Sequence, residues 1–185
     1  NHDQEILYWL NSKKLLGCFQ MNSHYPEHKK IIPIPIGTAW TKKGFNDYPS
    51  QKIAWECLQK KHEKDSLFLG LFTVGTHPRR RAIYKSYKNR TAGKMIGIGK
   101  FGEVKEFITP REYFKKLARA RFVLSPRGMG LDCYRTWETI IFGSVPVVEK
   151  SPIDYLYHNL PVMIVDDMTQ ITNVQFREYY DQLLK

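Results

Sequence analysis

The chain has 185 residues, of which 42% are apolar and 14% aromatic; that is enough hydrophobic material for one core and little more than one domain, and it excludes wholesale disorder. Lysine and arginine outnumber aspartate and glutamate 29 to 18, a formal net charge of +11, so the expected partners are anionic: nucleic acid, phosphate-bearing small molecules or a membrane surface, weighed against a merely solvated basic face. Cys18, Cys57 and Cys133 have no metal-ligand spacing and are expected as free thiols, and no apolar run approaches the roughly 18 residues of a membrane span.

The opening NHDQEILYWL lacks a methionine and a signal-peptide pattern, and the chain is expected to be a piece of something longer. QEILYWLN predicts a helix over residues 4–11, with Ile6, Leu7 and Leu10 near one face. LLGCF, residues 15–19, reads as a short buried strand, and the polar stretch after it as loop. IIPIPIG, residues 31–37, alternates isoleucine with proline. Proline removes ladder donors, so this is an edge strand or an extended crossover between lobes. Residues 38–49 read as loop, and Ser50 caps a helix through residue 61 with Ile53, Ala54 and Leu58 as its stripe.

SLFLGLFTV, residues 66–74, is nearly continuously apolar and predicts a central strand covered on both faces. GTHPRRR turns into a helix with Pro78 in its first turn. KMIGIG, residues 94–99, is a weak strand. TPREYFKKLARA begins with Thr109 as cap, Pro110 at the first position and Glu112 third, a capping box. RFVLS is a strand, residues 132–142 a helix with Gly143 as its C-cap, and VPVVE the next strand. PIDYLYHN is a short helix or turn, LPVMIV a last strand, and Thr172 caps a final helix through residue 184. Alternating strands and helices predict an α/β fold with a mostly parallel sheet.

Ligands of such sheets collect beyond the carboxyl ends of the strands, where two turns carry chemistry. In TVGTHPRRRA, Gly75 permits tight geometry, Thr76 offers a hydroxyl, and Arg79, Arg80 and Arg81 crowd the helix start, where positive charge opposes the helix dipole. Residues 76–105 hold nine basic side chains against one acid, Glu103. A bound polyanion would relieve that crowding; solvated charge is the plainer reading. In SPRGMGLDCYRTWE, Gly128 and Gly130 allow a ligand to approach the backbone, and Arg127 can fork onto a phosphate. Arg135 and Glu138 lie three apart and reach one side of a helix, either as a surface pair or as separate contacts to phosphate and to ribose. Trp137 and Cys133 read as packing residues.

The block FVLSPRGMGLDCYRTWETIIFGSVPVV resembles the donor-binding half of exostosin-like glycosyltransferases. IIPIPIG resembles that family's segment between lobes, VGTHPRRR its first phosphate-side loop, and LPVMIVDDMTQIT the stretch after the donor site, so the resemblance covers most of residues 31–175. It implies the Rossmann-like donor lobe of a two-lobed (GT-B) enzyme, with residues 1–30 a remnant or appendage of the acceptor-side lobe and residues 31–185 the nucleotide-sugar-binding domain. It places Arg127 and Arg135 near the diphosphate and Glu138 near ribose, with Thr76, Arg80, Ser125, Gly128 and Asp132 in the surrounding loops. The family often carries histidine where Tyr134 stands, so no role passes to Tyr134. No catalytic base is assigned; His2 and Asp3 are the only early residues resembling a base region.

The implied activity is transfer of a sugar from a nucleoside diphosphate sugar to an acceptor hydroxyl, with a glycan as acceptor, inversion as the stereochemistry and no metal cofactor. No DxD motif appears, and the Asp166-Asp167 pair lacks its spacing. The rival from another class is a non-enzymatic basic module for nucleic acid or another polyanion, favoured by the basic segment with Tyr84 and Tyr87 interleaved. No zinc pattern or aromatic RNA-binding strand supports it. Neither a Walker A loop nor GxGxxG is present, which lowers ATPase and dehydrogenase readings.

Overall fold

The computed structural model describes residues 2–23, 27–40, 50–102 and 108–184, with side chains from residue 5 onward. In chain order the elements are α1 (His2–Asn11), β1 (Cys18–Gln20), β2 (Ile31–Pro33), α2 (Ser50–Leu58), β3 (Ser66–Thr73), α3 (Pro78–Tyr87), β4 (Lys94–Ile98), α4 (Pro110–Arg119), β5 (Ala120–Leu124), α5 (Tyr134–Ile141), β6 (Val145–Glu149), β7 (Met163–Val165) and α6 (Asn173–Leu183). Single-turn 3₁₀ segments cover Val74–Thr76, Asp154–Tyr157 and Met168–Gln170.

Five strands form one sheet in the order β4-β3-β5-β6-β7, every neighbouring pair parallel. The expected α/β architecture with a parallel sheet is therefore what the chain adopts, and β3 and β5 are both interior. Alternation along them divides the core. Phe68, Phe72 and Phe122 face one way, toward Ile83 and Tyr87 of α3 and Phe176 of α6. Leu69, Leu71 and Val123 face the other, toward Ile53 and Ala54 of α2 and Phe114 and Leu117 of α4. Fully burying such a side chain contributes about 1.5–3 kcal/mol, so both faces hold the strand ends firmly beneath the loops. Gly97 lets α3 approach β4: a Cβ there would stand 2.6 Å from the Tyr84 ring.

Local signals behave as their chemistry dictates. Thr109 and Glu112 close a reciprocal capping box on α4, and Thr172 with Gln175 closes another on α6. Gly143 ends α5 with φ +65, the left-handed conformation glycine tolerates best.

Other expectations need correction. The strand expected over residues 15–19 is shifted to Cys18–Gln20, and it is not buried: Leu16 is 92% and Phe19 69% exposed. It pairs only with β2, in a two-stranded parallel ribbon separate from the main sheet. Two strands carry no second layer of their own, so Phe19 and Ile32 stay in solvent, while Ile31 of β2 is buried at 6% exposure. The helix from Ser50 ends at Leu58 rather than residue 61. The helix expected from Asp132 begins at Tyr134, because the Asp132 carboxylate accepts the Cys133 N–H and holds that residue extended, with φ −133. Of the loop expected over residues 38–49, residues 41–49 lie outside the described ones, as do Glu103, Lys105 and the side chains of His2 and Asp3. No helix among the described residues is long and apolar enough to cross a membrane.

Candidate functional site

The strand order reverses between β3 and β5. From β3 the chain steps outward to β4, then crosses back to lay β5 on the other side of β3. The loops leaving the carboxyl ends of these two strands therefore diverge and open a crevice, the position where sheets of this order bind ligands. A cavity of about 330 Å³ occupies that crevice. The structure brings Thr76, Arg80, Gly128, Asp132, Arg135 and Glu138 together in its wall. Ser125 and Arg127 line a second cavity of about 220 Å³ on the other side of the loop. Arg127 and Arg135, expected on one diphosphate, thus border different cavities.

The three arginines at the start of α3 part ways rather than forming one cluster. Arg79 pairs with Glu149 and Asp167 at the ends of β6 and β7, and those carboxylates raise its pKa. Arg81 stacks its guanidinium 3.7 Å from the Phe101 ring centroid. Arg80 turns inward and is only 7% exposed. Its Nε donates to the Arg127 carbonyl at 2.9 Å, Nη1 to Thr73 at 3.3 Å and Nη2 to Pro126 at 3.2 Å. Arg80 thereby ties the end of β3 to the Ser125–Gly130 loop. Gly128 makes room for this, since a Cβ there would sit 3.0 Å from Arg80 Nη2. At the helix N-cap, His77 Nδ1 accepts the Arg79 N–H at 3.1 Å. The neutral ring then carries its proton on Nε2.

Arg135 is the exception among these side chains. Its Nε and Nη1 are buried and have no hydrogen-bond partner. Its Cζ stands 5.5 Å from the Phe72 ring centroid, and Arg80 Cζ stands 5.7 Å from the same ring. Burial, and then the charge of Arg135, push the Arg80 guanidinium down to about 10. Among the described residues no carboxylate forms an ion pair with either arginine. Two guanidiniums share one cavity, one of them with unmade hydrogen bonds.

The i,i+3 pair of Arg135 and Glu138 does not form. Glu138, 2% exposed, accepts the Tyr113 hydroxyl on Oε2 at 2.5 Å and the Ala39 N–H on Oε1 at 3.2 Å. Burial pushes its carboxyl up, while Tyr113, Ala39 and the charge of Arg135 pull it back. Burial, with the Glu138 charge behind it, raises the Tyr113 phenol well above its usual range. Asp132 accepts from Ile36 N at 2.8 Å, Cys133 N at 2.8 Å and Trp137 Nε1 at 2.9 Å. These two carboxylates hang the segment after β2 across the crevice as a strap. Asp132 has little acceptor capacity left, whereas Glu138 keeps more of its own. Ser125 Oγ bonds Thr136 Oγ1 at 2.8 Å and joins β5 to α5. Sequence reasoning missed Ile36, Ala39 and Tyr113, and no local signal marks them. Trp137, read as a packing residue, packs on Tyr157 with ring centroids 5.8 Å apart. Cys133, read the same way, directs its thiol to the Pro126 carbonyl.

Known proteins resemble the chain over the region that carries this crevice. The family described as RXYLT1 C-terminal domain matches residues 45–170. Ribitol-5-phosphate xylosyltransferase 1 of Danio rerio is 28% identical over 131 residues, which cover 69% of this chain and 29% of that protein. Its namesake from Homo sapiens is 25% identical over 126 residues, 64% of this chain and 26% of that protein. The match thus spans less than a third of the length of these curated relatives.

Proposed function

The chain belongs to the RXYLT1 C-terminal domain family, and on that premise we propose that it is the donor-binding lobe of a glycosyltransferase of GT-B architecture, holding a nucleoside diphosphate sugar in the crevice between β3 and β5. The observation that carries this reading is the Arg135 guanidinium, buried with Nε and Nη1 unpartnered. A buried charged donor without an acceptor is unfavourable by itself; a diphosphate oxygen supplies the acceptor. The same anion relieves the repulsion between Arg135 and Arg80.

In the proposed reaction an acceptor hydroxyl oxygen attacks the anomeric carbon and the bond from that carbon to the diphosphate breaks. The leaving diphosphate gains negative charge, and Arg135, with the backbone N–H groups opening α5, stabilises it more strongly in the transition state than in the bound donor. Glu138 uses its remaining lone pairs to accept ribose hydroxyls. Stabilisation by arginine is proposed to make a metal unnecessary. The stereochemistry proposed is inversion, with the base supplied by an acceptor-side lobe to which residues 1–30 are an appendage. The exposed β1–β2 ribbon, with Phe19 and Ile32 in solvent, supports that placement. The relatives are named as xylosyltransferases acting on ribitol 5-phosphate, so xylose is the first sugar to test and a phosphate-bearing glycan the first acceptor.

Calorimetric titration with a panel of nucleoside diphosphates and duplex DNA, at low and moderate salt, tests the reading. One nucleoside diphosphate is expected to bind in preference to free pyrophosphate with a shallow salt dependence. DNA binding with a steep salt slope and no nucleoside diphosphate binding refutes it in favour of a polyanion-binding module.

A further inference from the structure

Glu138 sits in the crevice wall with no cation on it. Its side chain is buried, and among the described residues it forms no ion pair. Two neutral donors hold it, on different oxygens and from different elements: the Tyr113 hydroxyl of α4 on Oε2 at 2.5 Å, and the Ala39 N–H of the strap on Oε1 at 3.2 Å. The bond from Tyr113 is the stronger. Its length is that of a hydroxyl on an ionised carboxylate, whereas the bond from Ala39 is at the long end for an amide.

Tyr113 is held in place by its own helix. The Thr109–Glu112 capping box fixes the first turn of α4, and the Tyr113 N–H bonds the Thr109 carbonyl at 2.9 Å. The ring is buried, 5.3 Å from the Phe114 ring between centroids, and it lines the same cavity as Glu138. A buried phenol needs an acceptor, and that need alone concerns only the fold. The effect on the carboxylate goes further. Two donors fix the rotation of the carboxylate, so its remaining acceptor capacity keeps one direction. A carboxylate fixed in this way can accept from both adjacent hydroxyls of a ribose, whereas a 2′-deoxyribose offers it only one. Burial pushes the Glu138 carboxyl up, and the Tyr113 hydroxyl is the strongest influence pulling it back. Among the described residues, the titratable and charged groups around it are Tyr113 from α4 and Arg135 from α5, with Arg80, Asp132, Cys133 and Tyr134 lining the same cavity; residues 34–40 of the strap carry none.

We propose that Tyr113 is a positioning residue: its hydroxyl fixes the Glu138 carboxylate to receive both hydroxyls of the donor's ribose, and the crevice thereby selects ribonucleoside over 2′-deoxyribonucleoside diphosphates. The proposal rests on the donor-binding reading and adds to it the residue behind Glu138 and the class of sugar in the nucleotide. Tyr113 acts through Glu138 and needs no contact of its own with the ligand. Its removal therefore touches recognition of the ribose and leaves recognition of the diphosphate to Arg135.

Tyr113→Phe removes the hydroxyl and keeps the ring. Calorimetric titrations with a ribonucleoside diphosphate, its 2′-deoxy counterpart and pyrophosphate, over a pH series, test the assignment. The wild type is expected to favour the ribonucleotide about tenfold or more. In Tyr113→Phe that preference is expected to shrink about three- to tenfold, with pyrophosphate affinity within about twofold of wild type. What preference remains is expected to vanish on acidification at a higher pH than in the wild type, because Glu138 without its donor takes up a proton sooner. Glu138→Gln is expected to reduce the preference in the same way, and adding Tyr113→Phe to it to change little more. Should phenylalanine disturb the packing, 3-fluorotyrosine in place of Tyr113, a stronger donor of nearly the same shape, is expected to carry the preference to lower pH; an unmoved profile there overturns the proposal. A Tyr113→Phe chain that keeps the wild-type preference at every pH also overturns it and leaves the donor reading standing. A loss that falls equally on pyrophosphate has the same result, by confining Tyr113 to the fold. A wild type that binds no nucleoside diphosphate overturns both.

Discussion

Replacing Arg135 by methionine is expected to make the unliganded chain more stable and its nucleotide binding worse. The guanidinium has two buried nitrogens without partners, and an unmade buried bond is unfavourable by about 1–3 kcal/mol, more for a charged group. Its approach to the Phe72 ring, 5.5 Å from Cζ to centroid, returns about 0.5–1 kcal/mol. Methionine keeps an unbranched stem to fill the same channel, and the repulsion with Arg80 disappears. The net gain is about 1–3 kcal/mol, which in a domain of this size raises Tm by about 2–4 °C per kcal/mol. Binding moves the other way: a lost charge-assisted contact of about 1.5–3 kcal/mol weakens nucleoside diphosphate affinity roughly ten- to a hundredfold. Thermal and urea melts of both proteins with and without nucleotide, beside calorimetric titration, read both quantities. An Arg135→Met chain that melts earlier than wild type and binds nucleotide equally well would mean that the guanidinium serves the fold, and the site assignment would fall.

Glu138→Gln keeps an acceptor for Ala39 and is expected to lower nucleoside diphosphate affinity about tenfold while leaving pyrophosphate binding unchanged; equal losses for both ligands would count against a ribose contact. Gly97→Ala places a Cβ 2.6 Å from the Tyr84 ring and 2.8 Å from Val74 Cγ2. Overpacking of that kind is expected to lower stability by about 1–3 kcal/mol, read as a fall in the urea midpoint. Burial pushes the Lys64 ammonium down to about 8, while its Nζ donates to the Phe142 carbonyl and Ser144 hydroxyl. Between that value and its ordinary one near 10.5 the unfolded chain binds more protons than the folded one, so stability rises with pH across this window. Lys64→Met is expected to be more stable than wild type at pH 7, with the difference shrinking toward pH 10 in paired thermal melts; a constant difference would show that the ammonium is not strained.

The sequence by itself determined the features that depend on neighbours within a turn or a pleat. The capping boxes at Thr109 and Thr172 and the left-handed Gly143 are interactions over a few residues, so their chemistry is present wherever the chain folds. The nearly unbroken apolar run of β3 demanded cover on both faces, and therefore a central place in a parallel sheet. The same pattern of alternating elements marked the two loops that form the crevice.

Tertiary structure alone decided what each charged side chain in those loops does. Three consecutive arginines look alike in sequence, yet Arg79 finds carboxylates 70 and 88 positions away, Arg80 finds carbonyls 46 and 47 positions away, and Arg81 finds a ring. Asp132 and Glu138 are drawn to Ile36 and Ala39, 96 and 99 positions distant. The short β1 looked like buried strand because apolar content reports what a segment can bury, not whether a second layer exists to cover it. A long ionic side chain reaches many partners at similar energy, and which of them lies within hydrogen-bond distance is set only once the strands are ordered and the loops pinned. Among the charged side chains of those loops, that ordering leaves Arg135 in the crevice with Nε and Nη1 unpartnered.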